Sequence, residues 1–308
     1  MRPFAFRNGW LLGLAFGGAG TMRTGAYLAG MAAMALAAPA WSQPPVWTVR
    51  DADSEIVIFG SVHVLPEGLD WRPFALDKAL AQADDLWFEV PLDGATDAAT
   101  QRESNARGFL PEGRSLSSML SKVGRARLAK VAAALEVPLG QVDRMQPWYA
   151  ELTLSSALYR QSGAAASQGV EQTLAQAAPR AVRRAFETPA QQVDFFANAP
   201  LRDQIASLEE TLKQIDLQPG DYQTLVRAWM AGDTDALDEE AVQPLRKSAP
   251  RLYALLVAQR NAKWADRIAE RLKGSGRTVV VVGVGHLVGK DGVPSRLRAM
   301  GLQVEGPQ

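Results

Sequence analysis

The chain has 308 residues, with 33 basic and 33 acidic side chains; 47% of it is hydrophobic and 21% charged. That balance excludes a disordered chain, which needs low hydrophobicity and high net charge, and a generic nucleic-acid binder, because a net charge of zero attracts no phosphates. There is no cysteine and there are two histidines, His63 and His286. Disulfides, thiolate metal sites and a cysteine nucleophile are thereby excluded, and any imidazole chemistry must use those two side chains.

Residues 1–42 carry Arg2, Arg7 and Arg23 and no acid. The short apolar run Ala26–Ala38 leads into small residues at Ala38-Pro39-Ala40 and Ala40-Trp41-Ser42. This is the pattern of a secretory signal, and the run is short for a membrane span of about 20 residues. Counted from Met1 the signal is 42 residues long, and counted from Met22 it is 21, which makes Met22 the candidate start. Cleavage is expected between Trp41 and Pro44; an uncleaved anchor, the chain's sole link to a membrane, is the alternative. Losing the three arginines leaves 30 basic and 33 acidic groups, a net charge of −3. The mature region, 43–308, is expected to be periplasmic or secreted, where a chain without thiols has nothing to mispair.

In chain order, Trp47–Arg50 and Glu55–Phe59 read as short strands around the turn Asp51–Ser54. A loop from Gly60 to Pro66 follows. Pro73–Ala83 has helical periodicity, and Leu86–Val90 (LWFEV) is a short buried strand ended by Pro91. Residues 97–272 are mostly helical in pattern. Lys122–Leu135, Arg202–Ile215 (with a Glu209–Lys213 pair at helical spacing), Tyr222–Ala231 and the long Pro250–Lys273 are the clearest segments, and Val182–Phe186 is a candidate strand. Thr278–Gly283 (TVVVVG) is apolar on both faces and therefore central to a sheet. A short helix over Pro294–Met300 and an edge strand near Gln303–Val304 close the chain. Strands alternate with helices at both ends while helices fill the middle. The expected fold is one α/β domain, with a central mixed sheet, flanking helices and a large helical insertion.

Both histidines occupy one local frame. Ile56-Val57-Ile58-Phe59 runs into Gly60-Ser61-Val62-His63, and Val279-Val280-Val281-Val282 runs into Gly283-Val284-Gly285-His286. Each is a strand, a glycine, two residues and a histidine. Ligands of open α/β sheets bind outside the carboxyl ends of strands, and a glycine there allows a sharp turn and close backbone approach. Leu86-Trp87-Phe88 delivers Glu89 in the same way. Two imidazoles and a carboxylate from three strand ends can hold a divalent metal or act as general acid and base. Structural alternatives remain: a satisfied histidine beside a strand, and for Glu89 a buried ion pair with an arginine. The near match VVVGVGHLVG to a dinucleotide fingerprint fails, because Gly289 falls one place late and 19 residues remain after it. Ser61 has no nucleophile-elbow context and reads as a turn residue or a backbone contact at the candidate site.

FGSVHVLPEG, DDLWFEV, Gly169-Val170-Glu171, Gln259-Arg260-Asn261 with Trp264, and VVVGVGHLVGKDGV together resemble the TraB/GumN family over about residues 45–305. That family is similar to the TIKI proteins, proposed metal-dependent proteases with two GxxH motifs and an essential glutamate, and more distantly to erythromycin esterases and ChaN-like haem-binding proteins. The resemblance implies a TraB/TIKI/ChaN-like fold. It assigns the GxxH histidines to His63 and His286, the strand glutamate to Glu89, the Gly-x-acid position to Glu171 and the Arg-Asn pair to Arg260 and Asn261.

Arg260 lies within the long helix, where an arginine is normally solvated. Turned to the strand ends, it could pair with Glu89 or grip a substrate carboxylate. Glu171 reads as a helix N-terminal acid or a further ligand, and Glu187 is a weaker candidate by position. The expected function is an exported metal-dependent hydrolase of a peptide or amide bond. His63, His286 and Glu89 would hold Mn, Co or Zn, Glu89 otherwise acting as general base. Arg260 would steady the developing anion, and Gly60, Ser61, Glu171 and Asn261 would bind substrate. The alternatives are a metal-free His/Glu hydrolase of esterase type and a non-catalytic periplasmic binding protein for haem or a polysaccharide intermediate. The expected partner is a peptide or small molecule and not a nucleic acid; the sequence does not define an oligomeric state.

Overall fold

A computed structural model describes residues 43–62, 64–65, 68–162, 170–217 and 221–307. The signal segment 1–42, the first GxxH histidine His63 and Gly169 lie outside these, so the expected approach of His63 to His286 does too.

Six strands form one mixed sheet in the order β4-β3-β5-β2-β1-β6. They are β1 (Val46–Arg50), β2 (Ser54–Ser61), β3 (Asp85–Phe88), β4 (Val182–Ala185), β5 (Gly276–Gly283) and β6 (Val304–Glu305). β2, β5, β3 and β4 are mutually parallel, while β1 pairs antiparallel with β2 and β6 with β1. β5 is central and buried from Thr278 to Gly283, as its unbroken apolar run requires.

The alternation of side chains across the sheet divides the core. Ile56, Ile58, Trp87, Val280 and Val282 meet Trp264, Ala265, Ile268 and Leu272 of the helix Gln259–Leu272. Val57, Phe59, Leu86, Phe88, Val279 and Val281 turn to the other face, into a larger core built with the remaining helices. A side chain of this size contributes about 1.5–3 kcal/mol when fully buried, so the sheet is held from both sides. Among the described residues no helix is long and apolar enough to cross a membrane.

The helical middle is in two parts, because β4 interrupts it. Its helices are capped by local chemistry: the Asp93 side chain accepts from Thr96 N, Ser121 from Gly124 N and Asp233 from Ala236 N, satisfying amides that the helix leaves unpaired. One expected pair is replaced. Lys213 bonds Glu210 rather than Glu209, and Glu209 instead accepts from the Ser121 backbone N–H at 2.6 Å, tying Leu201–Leu217 to the neighbouring helix.

Candidate functional site

The parallel strands deliver their carboxyl ends to one edge. Ser61 lies opposite Gly283, and Phe88 lies opposite both Val281 and Ala185. Glu89 follows β3 directly, Glu187 stands two residues past β4, and His286 closes the 3-10 turn Val284–His286 after β5. Past the strands the backbones stay paired, with Phe186 N donating to Phe88 O at 3.0 Å and Glu187 N to Glu89 O at 2.8 Å. Both carboxylates therefore leave the sheet side by side. Thr188 then starts the helix Pro189–Ala197 with a capping box to Gln191, which places Gln192 and Phe195 over the pair.

The long helix supplies the cation. Between Pro250–Tyr253 and Gln259–Leu272 it has a π turn at Ala254–Ala258, a distortion frequent at functional sites. One turn further on, Arg260 (2% exposed), Asn261 (0%) and Trp264 (2%) all point inward. Arg260 donates from Nε to Glu187 Oε1 (2.7 Å) and from Nη2 to Glu187 Oε2 and Glu89 Oε2 (2.8 Å each). Its Nη1 donates to the π-turn carbonyl of Leu256 (3.0 Å) and lies 3.1 Å from His286 Nε2. All five N–H groups of the guanidinium are thus engaged inside the protein. The pairing with Glu89 is one of the two roles read for Arg260 from the sequence, and it leaves no donor for a substrate carboxylate.

The remaining bonds close the network. Glu89 Oε1 accepts from Gly283 N at 2.8 Å, and Glu187 Oε1 accepts from Trp264 Nε1 at 3.0 Å. Gln192 Nε2 lies 3.4 Å from Glu89 Oε2 and 3.3 Å from Glu187 Oε2. Asn261 Oδ1 is 2.5 Å from His286 Nδ1, while its Nδ2 donates to the carbonyls of His286 (3.1 Å) and Asp291 (2.8 Å). Trp264 covers the imidazole with its ring centre 4.4 Å away, and the guanidinium carbon stands 4.7 Å above the Trp264 ring and 5.2 Å from that of Phe195, within cation–π range. Burial pushes the Glu187 pKa up, against the pull of Arg260, and the charge of Glu89 adds to the rise. Burial opposes the charge on Arg260, but Glu187 and Glu89 outweigh it and the pKa stays raised.

The first GxxH glycine is explained by contact. A Cβ on Gly60 would lie 2.9 Å from Val284 Cγ2 and 3.2 Å from Val284 Cα. The two loops after β2 and β5 thus pack directly on each other, and it is Val284, not a ligand, that approaches Gly60. The helix Asp221–Ala231 braces the first loop: Trp229 Nε1 donates to Gly60 O and Tyr222 Oη to Val64 O, both at 2.8 Å. Ser61 Oγ donates to Glu171 Oε1 at 2.5 Å, both buried. Glu171 sits in the first turn of the helix Val170–Ala177, so the Gly-x-acid position is carried to the end of β2. Glu187 is the principal group that sequence reasoning underweighted. Its signal was present: an acid one residue before a Thr-Pro-x-Gln cap, at the end of a strand.

Among the described residues no three His, Asp or Glu side chains converge to hold a metal ion. His286 Nε2 and Glu89 Oε1 are 4.0 Å apart, but the first faces Arg260 and the second accepts from Gly283. A divalent ion there would also lie beside the guanidinium. At an effective dielectric of about 20, two unit charges about 4 Å apart already repel by about 4 kcal/mol. As arranged, Glu89 and His286 do not fit the metal that the resemblance implies.

Comparison with known proteins agrees with this architecture. The family model described as TraB/PrgY/gumN matches residues 45–306. The uncharacterized protein YbaP of Escherichia coli (strain K12) is 25% identical over 242 residues, 78% of this chain and 87% of that protein, and YbaP of Shigella flexneri matches equally. An uncharacterized protein of Treponema pallidum (strain Nichols) is 21% identical over 259 residues, 80% of this chain and 78% of its own. No solved structure matches.

Proposed function

The chain belongs to the TraB/PrgY/gumN family, and on that premise we propose that it is an exported hydrolase of a peptide or amide bond, working at the carboxyl edge of the sheet without a metal. The observation that carries the reading is one buried point where Glu89, Glu187, Arg260 and His286 meet from three strand ends and a helix. Ion pairs of this kind are costly to bury and are arranged where charge is used. The basic, apolar N-terminal segment supports export. His63, by its frame, belongs to the same edge.

Glu89 Oε1 and His286 Nε2, 4.0 Å apart, are two acceptors that one water can bridge. The water displaces the Arg260 Nη1 contact while Arg260 keeps its other bonds. In the reaction the water oxygen adds to the scissile carbonyl carbon and its proton passes to Nε2. The C–N bond then breaks, and the same proton leaves on the departing amine, as general base–acid catalysis requires. Glu89 orients the water and balances the imidazolium. Arg260 acts as a fixed charge beside the developing oxyanion.

The test is a peptide-library cleavage screen on the exported protein, with elemental analysis of the same sample. Turnover is expected without metal and insensitive to chelator. Glu89→Gln and His286→Gln should stay folded by circular dichroism and lose a factor of about 10² or more. Chelator-sensitive turnover restored by Mn, Co or Zn would replace this version with one in which His63, His286 and Glu89 hold an ion. Retained haem or saccharide with no turnover would make the protein a binding module and end the hydrolase reading.

A further inference from the structure

We propose that Asn261 is a positioning residue that fixes His286 as the tautomer with its proton on Nδ1, leaving Nε2 as a lone pair turned toward Arg260 and Glu89. A carboxamide looks alike from either side, so its orientation must come from its partners. Here they are decisive. Nδ2 faces two backbone carbonyl oxygens, of His286 at 3.1 Å and Asp291 at 2.8 Å, and carbonyl oxygens only accept. The amide nitrogen therefore belongs on that side, and Oδ1 faces Nδ1 of the ring at 2.5 Å. Oδ1 cannot donate, so Nδ1 carries the hydrogen.

The other side of the ring gives the same answer independently. Arg260 Nη1 is 3.1 Å from Nε2, and a guanidinium has donors but no acceptor. A hydrogen on Nε2 would set two donors against each other, so Nε2 is bare. Two adjacent residues of one helix turn thus demand the same tautomer from opposite ends of the ring, and Trp264, one turn further along, holds the ring plane at 4.4 Å. The bond from Asn261 to Asp291 O also anchors the loop that follows His286. Asn261 is fully buried, with its amide spent on this loop and ring, so it acts on a ligand through the imidazole and not by touching it.

The tautomer stands on geometry alone; its effect on turnover rests on the hydrolase reading. Two histidines in the chain make the measurement direct. Protein labelled with nitrogen-15 histidine gives two imidazole patterns, which a His63→Gln variant assigns, and the nitrogen shifts report which ring atom bears the proton. In the wild type at neutral pH, His286 is expected to be protonated on Nδ1 and bare on Nε2. Asn261→Asp keeps an acceptor and loses both donors, so Nδ1 should keep its proton. Asn261→Leu removes the acceptor, so the single-tautomer pattern should be lost and kcat should fall at least tenfold with KM little changed. A wild-type His286 protonated on Nε2, or an Asn261→Leu protein with the unaltered pattern, overturns the proposal. If Asn261→Leu does not fold, the wild-type and Asn261→Asp spectra decide it by the same criterion. A wild type without turnover removes the hydrolase reading and leaves the tautomer result standing.

Discussion

Glu151 offers a stability test that is independent of any activity. It lies on the inner face of the helix Pro147–Gln161, 8% exposed, and its Oε1 accepts from Ser207 Oγ (2.9 Å) and Thr211 Oγ1 (2.8 Å) of the helix Leu201–Leu217. Burial pushes its pKa from 4.5 up to about 7, and the two hydroxyls offset this in part. The sign follows from linkage. Between those values the folded chain holds a proton that the unfolded chain has released, so stability falls as pH rises through the window. At 1.36 kcal/mol per pKa unit, the loss amounts to about 3 kcal/mol at pH 8, with none near pH 4. Glu151→Gln can accept the same two hydroxyl bonds and carries no charge. The variant minus wild-type difference should rise by about 3 kcal/mol from pH 4 to pH 8, in favour of the variant. Any misfit of the new amide adds a constant that does not depend on pH, so the slope is the quantity to read. Urea unfolding at several pH values measures it, from midpoints at constant m. A flat difference, or a variant that loses ground as pH rises, would refute the argument that Glu151 is buried as a costly carboxylate.

Three further outcomes follow from the site. Arg260→Met leaves Glu89 and Glu187 buried without their cation and should cost about 3–5 kcal/mol by thermal unfolding, less at acid pH where a carboxylate can take a proton; a loss under about 1 kcal/mol would mean the pair relaxes into solvent. Gly60→Ala forces a methyl to 2.9 Å from Val284 Cγ2 and should cost about 1–3 kcal/mol, in part recovered when Val284→Ala is added; strict additivity in that double-mutant cycle would deny the contact between the loops. Glu171→Gln should leave Ser61 with an acceptor and change stability by less than about 1 kcal/mol, the scale of one neutral hydrogen bond, which chemical denaturation checks.

What the sequence made legible was what local pattern controls. The apolar runs of β2, β3 and β5 fix three strand ends, and because these strands are parallel the residues just beyond them share an edge. Glu89 and His286 could be assigned to that edge without coordinates. β4 was harder to see, because Val182-Arg183-Arg184 is exposed on an edge strand and lacks the apolar run of a central one. Glu187 was underweighted with it. The inward turn of Arg260 was hidden for another reason: a π turn over Ala-Leu-Leu-Val-Ala resets which residues face the sheet, and that sequence is ordinary for an α-helix. The Glu209–Lys213 expectation failed because helix spacing ignores neighbours. Ser121 belongs to another helix, and its N–H needed an acceptor.

The charged cluster is better explained by chemistry than by stability. Its surroundings are apolar: Trp264, Phe195 and Phe186 pack around it, Phe186 stacking on Trp264 at 5.0 Å. Hydrophobic residues of similar volume could fill such a space, and replacing buried ion pairs in that way is often neutral or stabilising by about 1–4 kcal/mol. A chain that needed only a packed edge would therefore gain nothing from two carboxylates, a guanidinium and an imidazole. Their bonds are also uneven in purpose. Arg260 spends every donor on the protein, and Asn261 spends its amide on His286 and its loop. Only His286 Nε2 and Glu89 Oε1 face each other 4.0 Å apart, as two acceptors with no bond between them. A network built for stability would have closed that gap with a donor of its own; one that holds an imidazole and a carboxylate for an incoming proton keeps it open.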